Sequence, residues 1–493
     1  MKQHRAQSVF SVGGNTQARE RGRLALVDVC GQAARAPRRR VHTNLARVLH
    51  ALLLSLAVVL GAAGSLAPPA AQAATVRSFV YAYSAEGRPI EAVQIGAGPR
   101  KLVVIGNTHG APEANTYRLT LELIEHFSAN PEQVPPAVRL YFVPSINPDG
   151  LALGWRFDAA GVDLNRNMNT NLDACAENDW RITVQGAYGL VSATGGPYPD
   201  SQPEARLLRA LLWDAAGAIF LHSNAGLVFP ATCEHAPSIA LAERYAAGAG
   251  YSYSRYWPNY NITGGMHDWA GSLGIAAITP ELVTGDQSEF AANLAGLQAV
   301  LADAEALLPL PEDGLVAGLP VPAPIFRFWR ALGAEERFGP PLEPARLSPR
   351  GLSQTFRNAR ITASSALIDT PYFVQPEPLG VAATAGLAYG GAPALGQPAG
   401  DAAGRRFPET GHTLRDAFLD FWERGGGADV FGLPLSEEFV ATTADGQRRT
   451  VQYLERAVFA YDPDDGSVRL EPLGLRELVL EELTRPGAAF RIR

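Results

Sequence analysis

Between Ser78 and about Leu308, short apolar runs alternate with longer amphipathic stretches. Leu102-Val103-Val104-Ile105, Leu140-Tyr141-Phe142-Val143, Ile219-Phe220-Leu221 and Ile275-Ala276-Ala277-Ile278 read as buried strands. Tyr117 to Phe127, Pro203 to Ala216, Ile239 to Ala247 and Phe290 to Leu307 carry the spacing of helices. This alternation predicts an α/β domain whose mixed, largely parallel sheet has helices on both faces. In such a fold ligands sit beyond the carboxyl ends of the strands, so residues just after strands are the first candidates for chemistry.

The pattern breaks at a Pro-rich stretch from Leu308 to Pro324, which reads as a linker. Beyond it the chain repeats itself. Phe328-Trp329 and Phe338-Gly339 correspond to Phe421-Trp422 and Phe431-Gly432, and Pro341-Leu342 corresponds to Pro434-Leu435. Gln354-x-Phe356-x-x-Ala359 corresponds to Gln452-x-Leu454-x-x-Ala457. Two small modules fit this better than one domain, and each is short enough that the two are expected to pack together to bury their Trp and Phe residues. The expected organisation is a segment 1–73, an α/β domain 74–308, a linker 309–324, repeat 1 over 325–379, an Ala/Gly/Pro-rich flexible linker 380–404 and repeat 2 over 405–493.

The chain has 493 residues, 47% of them hydrophobic, which excludes a disordered protein. Its formal charge is -7, and no generally basic surface for nucleic acid is expected. That charge is uneven. The first 73 residues hold ten basic residues against two acidic, so the rest carries 32 against 47, a balance of -15. Arg38, Arg39, Arg40 and Arg47 precede an apolar run from about Val48 to Ala67, and Ala71-Gln72-Ala73 has the small-x-small form of an export-signal cleavage site. Cleavage before Ala74 would give a secreted or cell-surface product, whereas a retained N-terminal anchor is the alternative. Cleavage removes Cys30 and leaves Cys175 and Cys233 in an oxidising compartment, where either a disulfide or two buried thiols is compatible with the sequence.

Three segments place metal-type ligands after strands. His109 and Glu113 lie in Asn107-Thr108-His109-Gly110-Ala111-Pro112-Glu113, and His222 follows the strand ending at Leu221. Two imidazoles and a carboxylate with one open position form a catalytic zinc set. Glu281, in Ile278-Thr279-Pro280-Glu281-Leu282, is a general-base candidate. Each residue also has a plainer reading: His222 as a hydrogen-bonded structural side chain, Glu113 as an acid in a helix's first turn, Glu281 as the partner of an Arg.

A further segment raises their joint weight. Trp155-Arg156, followed by Gly161-Val162-Asp163-Leu164-Asn165-Arg166-Asn167, resembles the zinc carboxypeptidases, with Asn147-Pro148-Asp149-Gly150, Ser201-Gln202-Pro203-Glu204 and Tyr260-Asn261-Ile262-Thr263-Gly264-Gly265 in matching order. The resemblance covers about 230 of the 493 residues. It implies that His109, Glu113 and His222 hold Zn²⁺, that Asp163 orients a ligand imidazole, and that Asn165 and Arg166 bind the substrate's terminal carboxylate. It further implies that Arg156 stabilises the oxyanion, that Tyr260 covers the C-terminal residue, that His267 falls where side-chain selectivity is set, and that Glu281 is the general base. The chain departs from the family's His-x-x-Glu by one extra residue, with Pro112 inside, and Met168 stands where an aromatic residue is common. The repeats resemble LGFP-type repeats of secreted bacterial cell-wall enzymes, with Phe431-Gly432-Leu433-Pro434 the nearest stretch. The expected protein is a monomeric, exported zinc carboxypeptidase acting on peptides. Its alternatives are an enzyme for peptidoglycan stem peptides and an inactive wall-binding protein.

Overall fold

The computed structural model describes residues 75–388 and 404–485, so the export-type segment 1–73 lies outside the described residues. Among the described residues no helix is long and apolar enough to cross a membrane. The first domain is built on strands β1 (Val76–Tyr83), β2 (Pro89–Ile95), β3 (Arg100–Ile105) and β4 (Val138–Val143). A small hairpin, β5 (Val184–Gly186) with β6 (Gly189–Val191), precedes β7 (Ala215–Phe220), β8 (His222–Ser223), β9 (Leu227–Pro230), β10 (Ser252–Tyr253) and β11 (Ala276–Leu282). One mixed sheet runs β1-β2-β4-β3-β7-β11-β9-β10, with β8 paired to the end of β11. Its centre, β4-β3-β7-β11, is parallel, and β1-β2-β4 and β11-β9 pair antiparallel.

Helices α1 (Ala114–Ala129), α2 (Pro148–Leu153), α3 (Pro203–Leu211), α4 (Ala236–Ala249), α5 (Met266–Ser272), α6 (Phe290–Ala302) and α7 (Ala304–Leu307) connect these strands. Because successive strand residues point to opposite faces, β3 divides its side chains between two cores. Leu102 and Val104 meet α1, α4 and α6 on one face, whereas Val103 and Ile105 share the other core with Leu208 of α3 and Trp269 of α5. The helix expected over Pro203–Ala216 ends at Leu211, and Ala215 already belongs to β7. The alanines there favour a helix, but ladder bonds to strands on both sides and complete burial of Ala215–Phe220 override that preference.

The two repeats share one element order. Repeat 1 consists of hairpin β12 (Gly314–Val316) and β13 (Leu319–Val321), helices α8 (Ala323–Ala331) and α9 (Ala334–Phe338), a meander β14 (Arg346–Ser348), β15 (Gly351–Thr355), β16 (Arg360–Ala363) and β17 (Val374–Pro376), and helix α10 (Leu379–Ala388). Repeat 2 follows with β18 (Gly404–Phe407), β19 (His412–Arg415), α11 (Asp416–Arg424), α12 (Gly427–Phe431), β20 (Phe439–Thr442), β21 (Arg448–Tyr453), β22 (Val458–Tyr461), β23 (Val468–Leu470) and α13 (Leu473–Thr484).

Two expected boundaries therefore move. The stretch 309–324 contains the first hairpin of repeat 1: Pro320 sits in a two-stranded ribbon and Pro324 in the first turn of α8, both positions where a missing N–H costs little. The stretch 380–404 begins inside α10.

The repeated residues do repeated work. Trp329 Nε1 donates to the Gly339 carbonyl at 3.1 Å, and Trp422 Nε1 to that of Gly432 at 2.9 Å. Gln354 Nε2 donates to Pro320 and Glu343 carbonyls, and Gln452 Nε2 to those of Thr413 and Ser436, so each Gln ties its hairpin to its meander. The final helices are exchanged. Val381 N in α10 donates to Glu455 O of repeat 2, and Leu475 N in α13 donates to Arg357 O of repeat 1, both at 3.0 Å. A Cβ on Gly380 would lie 1.8 Å from Leu454 O and one on Gly474 1.9 Å from Phe356 O, so only glycine permits either approach.

The repeats are not tethered loosely to the α/β domain. α8 lies against the sheet face that carries Trp213 and Trp269, with Phe328 edge-on to Trp213 at 5.7 Å between centroids. Arg327, 4% exposed, donates to the carbonyls of Leu273, Trp213, Ala215 and Gly274 at 2.7–3.5 Å. Burial pushes its guanidinium down to about 10, which leaves it charged at neutral pH. Replacing Arg327 by Ala strands those acceptors in the core and is expected to cost about 2–4 kcal/mol in denaturant unfolding. A loss below about 0.5 kcal/mol, the range of ordinary surface substitutions, would show that this contact does not hold the domains together.

Candidate active site

The site is assembled at the carboxyl ends of the central strands. After β3 the chain turns through Gly106 to Gly110 and enters a single 3₁₀ turn, Ala111–Glu113, before α1. Gly110 has φ 52°, and a Cβ there would meet the Trp155 carbonyl at 2.1 Å, so the loop lies directly on the segment following α2. Asn147 secures the same contact: its Oδ1 accepts from Gly150 N at 2.8 Å while its Nδ2 donates to Thr108 O at 3.0 Å. The 3₁₀ turn takes up the extra residue between His109 and Glu113. Their side chains meet, with Nδ1 2.6 Å from Glu113 Oε1.

His222 arrives on the strand that follows β7, its ring centroid 4.5 Å from that of His109. His222 Nδ1 lies 3.0 Å from His109 Nδ1 and 3.0 Å from Glu113 Oε2. All three residues are buried, and their ligand atoms form a cluster able to hold a metal ion. Although burial opposes the charge of Glu113, the two imidazoles hold its carboxyl well below the usual range. Burial pushes His222 down to about 4, so its ring is neutral at pH 7. Two imidazoles whose Nδ1 atoms face each other beside a carboxylate form a donor set that fits Zn²⁺.

Asp163 orients this set. Its carboxylate is completely buried and receives four donors: His109 Nε2 at 3.1 Å and Asn165 N at 3.0 Å on Oδ1, Arg156 Nε at 3.2 Å and Tyr188 Oη at 3.1 Å on Oδ2. Burial opposes ionisation, but Arg156 and His109 hold its carboxyl well below the usual range. His109 Nε2 also lies 2.9 Å from Arg156 Nη2, and the contacts on this side of the ring turn Nδ1 toward Glu113 and His222. Arg156 also reaches Glu113 Oε1 at 3.2 Å.

Arg166, 1% exposed, donates to the Gln185 and Asn165 carbonyls and sits 5.7 Å from the Tyr260 ring centroid. Asn165 Oδ1 accepts from Met266 N at 2.8 Å, which leaves its amide NH₂ for a ligand. Glu281 lies opposite His222 in the β8–β11 register. Burial and the nearby Glu113 carboxylate raise its carboxyl well above the usual range. One cavity of about 500 Å³ is lined by His109, Glu113, Arg156, Arg166, Tyr260 and Glu281, and Asn165 joins them.

His267 is set apart. It is 1% exposed, packs edge-on to Phe229 at 5.1 Å and lines an adjoining cavity rather than the catalytic one. Met168 is fully buried in the core beneath the site. Cys175 and Cys233 are bonded, with Cα atoms 5.8 Å apart. Sequence reasoning missed Tyr188, which lies under the Arg156 guanidinium at 5.5 Å and grips Asp163. It sits in the β5–β6 turn, where no motif marks it.

Known proteins similar to this chain include members of one enzyme family. Residues 70–306 match the family model described as Zinc carboxypeptidase. Murein peptide amidase A of Escherichia coli (strain K12) is 26% identical over 182 residues, 36% of this chain and 69% of that protein. Among solved structures, bovine thrombin-activatable fibrinolysis inhibitor, in complex with tick carboxypeptidase inhibitor, aligns with 52% of this chain and 94% of its own at 18% identity and a TM-score of 0.39. The murein-tripeptide amidase of Escherichia coli O157 aligns with 47% of this chain and 96% of its own at 21% identity and a TM-score of 0.33. The match to the zinc carboxypeptidase model is thus confined to residues 70–306, the α/β domain. The enzyme class is metallocarboxypeptidase, with His109, Glu113 and His222 as an intact zinc triad.

Purified protein is expected to hold one zinc per chain by elemental analysis, and Glu113→Ala to lose it. Asp163→Asn should weaken zinc binding about 10- to 100-fold, since it removes the buried negative charge that orients His109. Unchanged affinity in a competition titration would remove that role from Asp163.

Proposed function

We propose that this protein is an exported carboxypeptidase that hydrolyses the last peptide bond of its substrates. The observation carrying this reading is the convergence on one cavity of His109 and Glu113 of the zinc triad, the Arg156 and Arg166 guanidinium groups and Glu281. Zinc bound by His109, Glu113 and His222 would supply Lewis-acid polarisation. Arg166 and the Asn165 amide anchor the substrate's terminal carboxylate, a task suited to a planar guanidinium. Arg156 donates to the oxygen of the scissile carbonyl as negative charge develops there. Glu281 takes a proton from the attacking water and delivers it to the leaving amine nitrogen. Tyr260, stacked beside Arg166, covers the C-terminal residue.

A narrower reading, with peptidoglycan stem peptides as substrate, is supported by the similarity to murein peptide amidase A. Export is supported by the basic-then-apolar N-terminal pattern and the Ala71-Gln72-Ala73 site. Attachment to the cell wall through the repeats has less support. The stretch that suggested it, Phe431-Gly432-Leu433-Pro434, begins with a buried Phe431, and its Gly432 carbonyl is taken by Trp422.

Glu281→Gln is expected to keep zinc and to lower kcat by about 10²- to 10⁴-fold, the usual worth of a positioned acid–base group. Hydrolysis at the parental rate would remove Glu281 from the chemistry. Arg166→Ala should impair cleavage of free-carboxylate peptides far more than of the corresponding C-terminal amides, and an equal loss on both would contradict carboxylate anchoring. The exported product, sequenced from its N-terminus, should begin at Ala74; a start upstream of the apolar run would favour the retained anchor.

A further inference from the structure

The way donors are shared on Asp163 bears on Arg156. Asp163 Oδ2 accepts from Arg156 Nε at 3.2 Å and from Tyr188 Oη at 3.1 Å, while Oδ1 is met by His109 Nε2 and Asn165 N. An ionised carboxylate offers about four lone-pair sites, so none is left over. An Arg and a carboxylate left to themselves frequently close into a two-bond fork, with a second guanidinium N–H drawn onto the acid. Here the fork does not close. Asp163 holds only Nε, and Nη1 projects to the zinc triad, 3.2 Å from Glu113 Oε1.

The Tyr188 ring supports the same arrangement. Its centroid lies 5.5 Å from Arg156 Cζ, within reach of a cation–π contact, and Phe157 packs edge-on to it at 5.2 Å. Thr194 Oγ1, 3.4 Å from the phenol oxygen, is a more distant acceptor than Asp163. Burial, aided by the Asp163 charge, pushes the phenol up to about 12, so it remains a donor throughout the neutral range. Tyr188 is delivered by the two-stranded ribbon of β5 and β6, and the site itself holds that ribbon in place. Thr194 O accepts from Asp163 N at 2.9 Å, and Gln185 O accepts from Arg166 Nε at 3.1 Å. A Cβ on Gly186 would lie 2.4 Å from Tyr188 Cε1 and Cζ, so a larger residue there would displace the ring.

We propose that Tyr188 is a positioning residue for catalysis: its hydroxyl fills the last acceptor site on Asp163 and so keeps the outer N–H groups of Arg156 turned toward the scissile carbonyl. Without the phenol, a second Arg156 N–H can turn onto the vacated side of Asp163 Oδ2, away from the oxygen on which negative charge develops. The inference rests on the reading of Arg156 as the donor to that oxygen.

The test compares the zinc-loaded parent with Tyr188→Phe, Arg156→Lys and the double variant on one peptide with a free C-terminus. Tyr188→Phe keeps the ring and loses the hydroxyl. It should lower kcat by about 10- to 100-fold with KM within about twofold, at unchanged zinc content and unfolding midpoint. Parental kcat overturns the proposal, and so does a loss that appears in KM, zinc content or the midpoint instead, since a purely structural role would act there. In the Arg156→Lys background the hydroxyl should matter by less than about twofold, because an ammonium has no fork to close; an equal loss in both backgrounds means that the phenol does not act through Arg156. If Arg156→Lys is itself as fast as the parent, the reading of Arg156 falls and the proposal with it, whereas a slow Arg156→Lys beside a fast Tyr188→Phe sinks the proposal alone. If the parent cleaves no such peptide, the exopeptidase reading falls. Affinity for a phosphinic peptide, a tetrahedral analogue of the substrate, then decides the positioning role separately: Tyr188→Phe should bind it at least about tenfold more weakly than the parent, and equal affinities count against the role.

Discussion

Four donors converging on one fully buried carboxylate, that of Asp163, hold the catalytic half of this protein together. Without those donors an ionised Asp at that depth would be prohibitively costly, and without the carboxylate three of the donors would themselves be stranded. The donors come from separate places: the loop after β3, the segment after α2, the 3₁₀ turn around Asn165, and the β5–β6 hairpin. Satisfying one charge therefore fixes four chain segments relative to each other. It also decides which nitrogen of His109 faces Glu113 and His222.

The parallel centre of the sheet supplies the rest. Strands β3, β7 and β11 end at the same level, and each delivers part of the site: His109 and Glu113, then His222, then Glu281. On the side carrying Trp213 and Trp269, the repeats complete a core that the α/β domain does not close by itself. Arg327 shows how intimate that closure is, since its charge is solvated by backbone carbonyls of the α/β domain. The repeats are thus part of the scaffold on which the strand ends stand.

Much of this was legible in the sequence. The four apolar runs are strands, and placement after strands made His109, Glu113, His222 and Glu281 candidates that the segment Arg156 to Asn167 then weighted. The internal repeat was visible because Trp329 and Trp422, and Gln354 and Gln452, make equivalent bonds to backbone groups, which constrains their identities. Other features were hidden for physical reasons. Prolines at a ribbon edge and a helix start have the same composition as prolines in a linker, so the first hairpin of repeat 1 was read as a tether. Alanines in β7 favour a helix when read locally, and only the neighbouring strands reverse that preference. Tyr188 acts through Asp163, a partner remote in sequence, and spacing along the chain gives no sign of it.

The exchanged helices of the repeats have a consequence for growth of the chain. In a solenoid each added copy stacks on the last and leaves a new face for the next. Here α10 and α13 answer each other reciprocally, as the two halves of a twofold contact do, and both equivalent faces are consumed. A third copy would find no complementary surface, and a single copy would leave one helix without its seat. Duplication in this architecture is therefore closed, and lineages carrying it would be expected to gain or lose these modules in pairs.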